Sequence, residues 1–392
     1  MFRCQNFAEK MPARQAQSLL YAEQPEAVAA MLRPHLAAGS GAVPLWRVMA
    51  QALRREGLIE AAARLQAMVV AATPGDATAR FELADSLLLL GDFDRGWGEY
   101  AFRYGLPHTS RIGRKILRPR WGGAPMPGKT LLLHAEQGFG DTFQFIRLAR
   151  AAAAHSQARV VLEVNPEILS LARRALPEVT IMCPGEAAPD CDAHCELLSL
   201  PLALGLSLRD LPGPMPYLLA DPELLNHWRA RLKNLPRPLV ALAWAGRPTH
   251  PNDANRSITL AALAPLANIG AHFISIQKGP AAAQAAAPPP GMCMTQLSGE
   301  IADFEDTAAI LCVADLLISV DSSPVHLSGA LGRPAWVMLP SLPDWRWLMH
   351  RDDSPWYPTH RLFRQSRRGD WDGVAEAVAA ALRQQQVAGR KT

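Results

Sequence analysis

Two stretches of the chain hold residue types whose spacing could do chemistry. In one, the apolar run Leu316–Val320 ends abruptly at Asp321-Ser322-Ser323-Pro324-Val325-His326. Serine is a favoured helix N-cap, and proline fits the first helical position, where a missing N–H costs nothing. A helix that starts after a parallel strand presents free N–H groups and a partial positive charge, which suits a phosphate; His326 would add a donor. The same pattern also describes an ordinary capped strand–loop–helix unit. In the other stretch, Thr130–His134 reads as a buried strand followed by Ala-Glu-Gln137-Gly138-Phe-Gly140-Asp141-Thr142. The glycines allow a tight loop, and Asp141 or Thr142 would open a helix whose apolar face carries Phe143 and Ile146. The third glycine of the dinucleotide fingerprint is absent. Asp141 is either a carboxylate placed to take a proton or a plain helix cap.

Composition sets bounds on what such loops can serve. The chain has 392 residues, about half of them apolar, and a net charge of +4. That length allows roughly two or three domains, and so small a charge does not suggest a nucleic-acid binder. No apolar run has membrane-spanning length or the form of a leader, so a cytoplasmic protein is expected. The six cysteines are scattered, with no disulfide framework. Cys191-Asp-Ala-His-Cys195, with Cys183 nearby, invites a zinc reading. Its spacing matches no standard finger, and a loop with buried thiols is the expectation, with no metal site.

The loops need elements to hold them. The first hundred or so residues are helical in pattern, with a repeat: Gly57 and Gly91 stand 34 residues apart, and Ala50/Ala84, Leu53/Leu87 and Ile59/Phe93 keep that offset. Ala16 and Leu19 mark a weaker earlier copy. A 34-residue period with glycine at the turn and Pro74 at the end resembles the tetratricopeptide repeat, whose usual role is to bind another polypeptide. Residues 108–128 are basic and then rich in turn formers, as in a linker. Strands and helices alternate beyond it: strands at 130–134, 159–164 and 179–182, then a second run at 239–244, 272–277 and 316–320. Alternation implies parallel sheets covered on both faces, with ligands at the strands' carboxyl ends. The Ala/Pro-rich run 281–290 reads as a surface excursion. The segment 344–357, with four large aromatics among charges, is either a sugar platform or packing for the C-terminal helix.

Asp-Ser-Ser-Pro-Val-His-Leu-Ser-Gly-Ala-Leu-Gly-Arg-Pro, taken with Gly-Phe-Gly-Asp-Thr, resembles the ADP-heptose:lipopolysaccharide heptosyltransferases of glycosyltransferase family 9. The resemblance covers roughly 121–371 and extends to bacterial proteins that couple tetratricopeptide repeats to such a domain. It implies an α/β GT-B fold, two Rossmann-like domains facing a cleft, preceded by an all-α tetratricopeptide-like module. The expected order is a repeat module over 1–117, an acceptor-side domain over 118–234, a donor domain over 235–372, and a C-terminal helix and tail over 373–392. By the same resemblance Asp141 is the general base, in a loop with Gln137, Gly138, Gly140 and Thr142. Arg256, with Arg247 as second choice, Asp321, Ser322, Ser323 and His326 hold the donor diphosphate. Trp244, Gln277, Lys278 and Gly279 meet the nucleotide or sugar. The heptosyltransferases usually carry Thr-Gly where this chain has Ser322-Ser323.

The implied activity is inverting, metal-independent transfer of a sugar from a nucleotide-sugar donor to a macromolecular acceptor, a protein such as flagellin or a surface glycan. Neither cofactor nor metal is expected; the repeats would take a polypeptide partner or acceptor. The alternatives are a non-catalytic adaptor with a vestigial nucleotide-sugar site and a sugar-nucleotide 2-epimerase.

Overall fold

The computed structural model describes residues 13–20, 22, 24–37, 43–106, 116–186 and 190–389. The basic part of the expected linker, 107–115, lies outside the described residues. Two compact units emerge: one takes 1–113 with 206–208 and 344–349, the other the rest of the chain.

The first unit is helical: α1 (Pro25–Ala37), α2 (Val43–Arg55), α3 (Ile59–Ala72), α4 (Ala77–Leu89) and α5 (Phe93–Tyr100). The 34-residue period is visible in these bounds, because α1, α3 and α5 start at 25, 59 and 93, and α2 and α4 start at 43 and 77. Gly57 and Gly91 close the two later turns with φ of +80° and +81°, a left-handed conformation that glycine adopts without strain. In α2 the buried residues Leu45, Val48, Met49, Ala52 and Leu53 form one stripe at helical spacing. It faces Val28, Ala29 and Leu32 of α1 in a shared core that also takes in Ala16 of the weak copy. Asp76 caps α4 by accepting from the Thr78 and Ala79 amides.

The segment 344–349 belongs to this helical core. Trp345 is 3% exposed and lies edge-on to Trp97 (5.3 Å between ring centroids) and Tyr100 (6.1 Å). Trp97 Nε1 donates to the Leu206 carbonyl at 3.0 Å. The expected sugar platform is therefore not formed: Trp345, Trp347, Trp356 and Tyr357 are all buried.

The second unit contains two wholly parallel sheets. Strands β1 (Thr130–His134), β2 (Arg159–Glu163), β3 (Thr180–Met182) and β4 (Ala193–Glu196) lie in the order β3-β2-β1-β4. Strands β5 (Leu239–Ala243), β6 (His272–Ser275), β7 (Met294–Gln296), β8 (Leu316–Val320), β9 (Ala335–Leu339) and β10 (His360–Arg364) lie in the order β10-β9-β8-β5-β6-β7. The connecting helices include α6 (Phe139–Phe145), α7 (Ala149–Ser156), α8 (Leu169–Ala175), α9 (Pro222–Leu232), α10 (Phe304–Val313) and α11 (Ser323–Ala330). Strand order reverses between β1 and β4 in one sheet and between β5 and β8 in the other. Crevices for ligands open at such switch points.

The C-terminal helix α12 (Trp371–Gly389) is part of the second sheet's core through Val374, Ala375, Val378, Ala379 and Leu382. The Ala/Pro-rich run forms a short 3-10 turn over Pro280–Ala286 with Ala285 buried in the same core, and not a free excursion. No helix among the described residues is long and apolar enough to cross a membrane.

Trp345→Ala would leave a cavity among Trp97 and Tyr100. Truncation of a buried tryptophan costs about 3–5 kcal/mol, so the urea midpoint of the transition is expected to fall sharply. An unchanged midpoint would show that the segment is no part of the helical core.

Candidate functional site

The two switch points bring the chemistry-bearing loops together. After β5 the chain runs through a polar loop to the short turn Asp253–Arg256. Asp253 Oδ1 accepts from Arg256 Nε (3.3 Å), and Arg256 Nη1 donates to the Asp321 carbonyl (3.1 Å) at the end of β8. Arg256 is thereby fixed at the head of α11. Arg247 is exposed in the preceding loop.

Ser322 is the N-cap of α11, but its side chain does not cap the helix; its Oγ meets Ser319 Oγ at 3.1 Å. Ser323 opens the helix, half-buried. His326 is 6% exposed, with Nδ1 3.0 Å from the Tyr357 hydroxyl and Nε2 3.8 Å from Asp321 Oδ1.

Across the unit, α6 packs against α11. A Cβ added at Gly140 would fall 2.8 Å from His326 Cδ2, so glycine is what permits this approach. The helix starts at Phe139, two residues earlier than the sequence pattern suggests, with Gly138 as N-cap. Asp141 therefore occupies the third helical position and reaches back, its Oδ2 accepting from the Gly138 amide at 2.9 Å. That contact is the cap; a catalytic role has to be added to it. Thr142 is buried with its hydroxyl 3.5 Å from the Gly138 carbonyl, and Gln137 is exposed.

The four residues expected to meet the nucleotide or sugar, Trp244, Gln277, Lys278 and Gly279, lie around the ends of β5 and β6. Trp244 is fully buried in the second sheet's core. Gln277 accepts from the Trp244 and Ala245 amides through Oε1 (2.9 Å each) and donates to the Ala245 and Lys278 carbonyls. It shapes the loop after β5. Lys278 Nζ donates to the Ser298 and Ile301 carbonyls, at 2.8 Å each, and Gly279 caps the following turn with φ of +73°.

Residues that sequence reasoning passed over hold the two sheets together. Arg147 donates to the Gln144, Pro212 and Trp356 carbonyls and to the Tyr217 hydroxyl, over whose ring it stacks at 4.2 Å. The signal for it was a lone cation in the apolar run Phe143-Gln-Phe-Ile-Arg-Leu-Ala149. Phe139 and Phe143 both meet Phe304 edge-on.

No protein-family profile matches the chain. Protein FlbA of Caulobacter vibrioides is 29% identical over 333 residues, which cover 78% of this chain and 54% of that protein. The chain thus spans about half the length of this relative. Among solved structures, it is similar to the ADP-heptose lps heptosyltransferase II of E. coli (16% identity, TM-score 0.47, covering 66% of this chain and 99% of that one). It is also similar to a glycosyl transferase of family 9 from Veillonella parvula (12% identity, TM-score 0.45, covering 67% and 99%).

Two outcomes test the site's construction. Gly140→Ala should disturb His326 and the approach of α6 to α11. A misplacement of about 1 Å can lower a rate by about a hundredfold, so ligand turnover is expected to drop far more than the melting temperature; equal losses would make the contact merely structural. His360, its ring centroid 4.8 Å from that of Tyr357 and tilted against it, has its pKa pushed down to about 3 by burial and then by the Arg147 charge. An unfolded histidine takes up its proton near pH 6.5, so between about pH 6.5 and 3 the unfolded chain binds one proton more. Stability is complete above that window and falls with pH inside it, by about 1.4 kcal/mol per unit from this group. His360→Phe should flatten that slope in urea titrations, and coincident pH profiles for the two proteins would refute the assignment.

Proposed function

We propose that the chain is a glycosyltransferase that moves a sugar from a nucleotide-sugar donor to a macromolecular acceptor, with inversion at the anomeric carbon. The observation that carries this reading is the convergence of Arg256, the head of α11 and His326 on one switch point, with the Gly138–Asp141 loop packed against His326. The donor diphosphate would lie at the N-terminus of α11, where backbone N–H groups and Arg256 offset the charge that grows as it leaves. Asp321 and Ser322 shape that end of the strand, and Ser323 and His326 contribute donors.

In the transfer, the acceptor oxygen forms a bond to the anomeric carbon as the bond to the diphosphate oxygen breaks. The nucleoside diphosphate departs with the electron pair, and Asp141 takes the acceptor's proton. The scheme asks for no metal at the diphosphate. The 34-residue helical repeats are proposed to be tetratricopeptide units that bind a polypeptide partner or acceptor, which favours a transferase over a 2-epimerase. The heptosyltransferase resemblance of the two loops makes ADP-sugars the first donors to try.

The test is to incubate the purified chain with a panel of nucleotide sugars and follow thermal shift and nucleotide release. Asp141→Asn separates the two roles of this residue, since asparagine still caps a helix but takes no proton. Release is expected to fall by about 10²–10⁴-fold with the donor-induced thermal shift retained; Arg256→Ala should lose the shift itself. Unimpaired release from Asp141→Asn would exclude it as the base. Donor binding without release from the unaltered chain, acceptor present, would favour an adaptor.

A further inference from the structure

The switch point of the first sheet holds a second cluster, which the transfer scheme does not use. His134 ends β1, and His194 and Glu196 stand two residues apart on β4. The register pairs Leu132 with His194 and His134 with Glu196, and side chains alternate along a strand, so all three point to one face. They are 3%, 4% and 3% exposed. One ligand atom from each lies within 4.8 Å of the others. His134 Nε2 and His194 Nδ1 are 3.1 Å apart. Arg120 donates from Nε to Glu196 Oε1 at 2.9 Å.

We propose that His134, His194 and Glu196 bind a divalent transition-metal ion, Zn²⁺ foremost. Two imidazoles and a carboxylate are an established zinc ligand set that leaves a fourth position open. Two nitrogens on one tetrahedral zinc, each about 2.0–2.1 Å from it, stand about 3.3 Å apart, close to the spacing in place here. Burying a carboxylate away from water is costly unless cations pair with it, and a metal ion beside Glu196 would add to the pairing that Arg120 provides. Arg120 holds one oxygen and so orients the carboxylate, the role that outer partners play around metal ligands.

The register also explains why the cysteine-rich sequence around this strand misleads. Cys195 lies between His194 and Glu196 and points to the opposite face, its Sγ donating to the Glu196 carbonyl at 3.4 Å, and Cys183, Cys191 and Cys195 form no disulfide. The ligand set comes from two strands 60 residues apart in sequence (134 and 194), which no local motif can display. This inference is independent of the transferase reading, and its test does not involve sugar transfer.

The full chain, stripped with a chelator and dialysed against Zn²⁺, is expected to retain one ion per chain by elemental analysis and to melt higher than the stripped protein. Co²⁺ in its place should give visible d–d bands without thiolate charge transfer. His194→Ala and Glu196→Gln should each weaken zinc retention by at least about a hundredfold, beyond the 10–100-fold typical of outer-shell changes. Their folding is checked by circular dichroism and gel filtration without metal. Cys195→Ser should keep the ion. Failure of the folded, stripped chain to take up zinc, equal retention by His134→Ala/His194→Ala, or loss in Cys195→Ser with a thiolate band would each overturn the assignment.

Discussion

The guanidinium of Arg147 is the contact on which the arrangement of the two sheets most depends. It sits on the 3-10 turn Ile146–Leu148, directly after the helix that carries Asp141. Its four acceptors come from its own helix, from the connection between the sheets and from the segment before β10. Arginine suits this place because its planar fork fixes several donors at once and its face stacks on an aromatic ring. Tyr217 passes the constraint on by donating to the Phe143 carbonyl, and Tyr357, 5.0 Å under the guanidinium, meets His326. The position of the Gly138–Asp141 loop against His326 is thus set by one cation and two phenols. Losing that cation would leave three carbonyls to find new donors in a part-buried seam.

Much of this architecture is legible in the sequence because its signals are local. The buried strands at 130–134, 239–243 and 316–320 are near-continuous apolar runs, as expected of parallel strands covered on both faces. The repeat is legible because Gly57 and Gly91 must take the same left-handed turn. Other strands are less so. The edge strand Met294–Gln296 is three residues with no pattern, and the interior Ala335–Leu339, although apolar, could equally have been a buried helix segment until β8 and β10 pair with it. The aromatic segment 344–357 misleads for a different reason. Spacing cannot tell a tryptophan facing a sugar from one facing Trp97.

The site shows the same division. Asp321, Ser322 and Arg256 converge because a strand end, a cap and a loop cation are each recognisable on their own, and the sheet order does the rest. Gln277 and Trp244 look like ligand contacts because they follow strands, where ligands bind. Yet a loop after a strand must also satisfy its own amides, and Gln277 does that for Trp244 and Ala245. Asp141 makes the capping contact, and its role as base belongs to the proposed scheme. Starting the helix at Phe139 instead of Asp141 turns the carboxylate back onto Gly138, which anchors one oxygen and sets the direction of the other.

The proposed transfer asks different things of the two switch points. At the end of β8 the α11 N-terminus and Arg256 would favour the negative charge of a leaving diphosphate, with the carboxylate of Asp253 held on Arg256 and that of Asp321 beside His326. The ends of β1, β2 and β4 carry His134, Glu163 and Glu196, with Arg120 held on Glu196. In the proposed scheme Asp141, at the third position of α6, takes the acceptor's proton, whereas Glu196 belongs to the proposed metal site. Parallel strands all deliver their carboxyl ends to the same edge of a sheet, so such a division of labour between two sheets would come from loop composition and need no change in the fold.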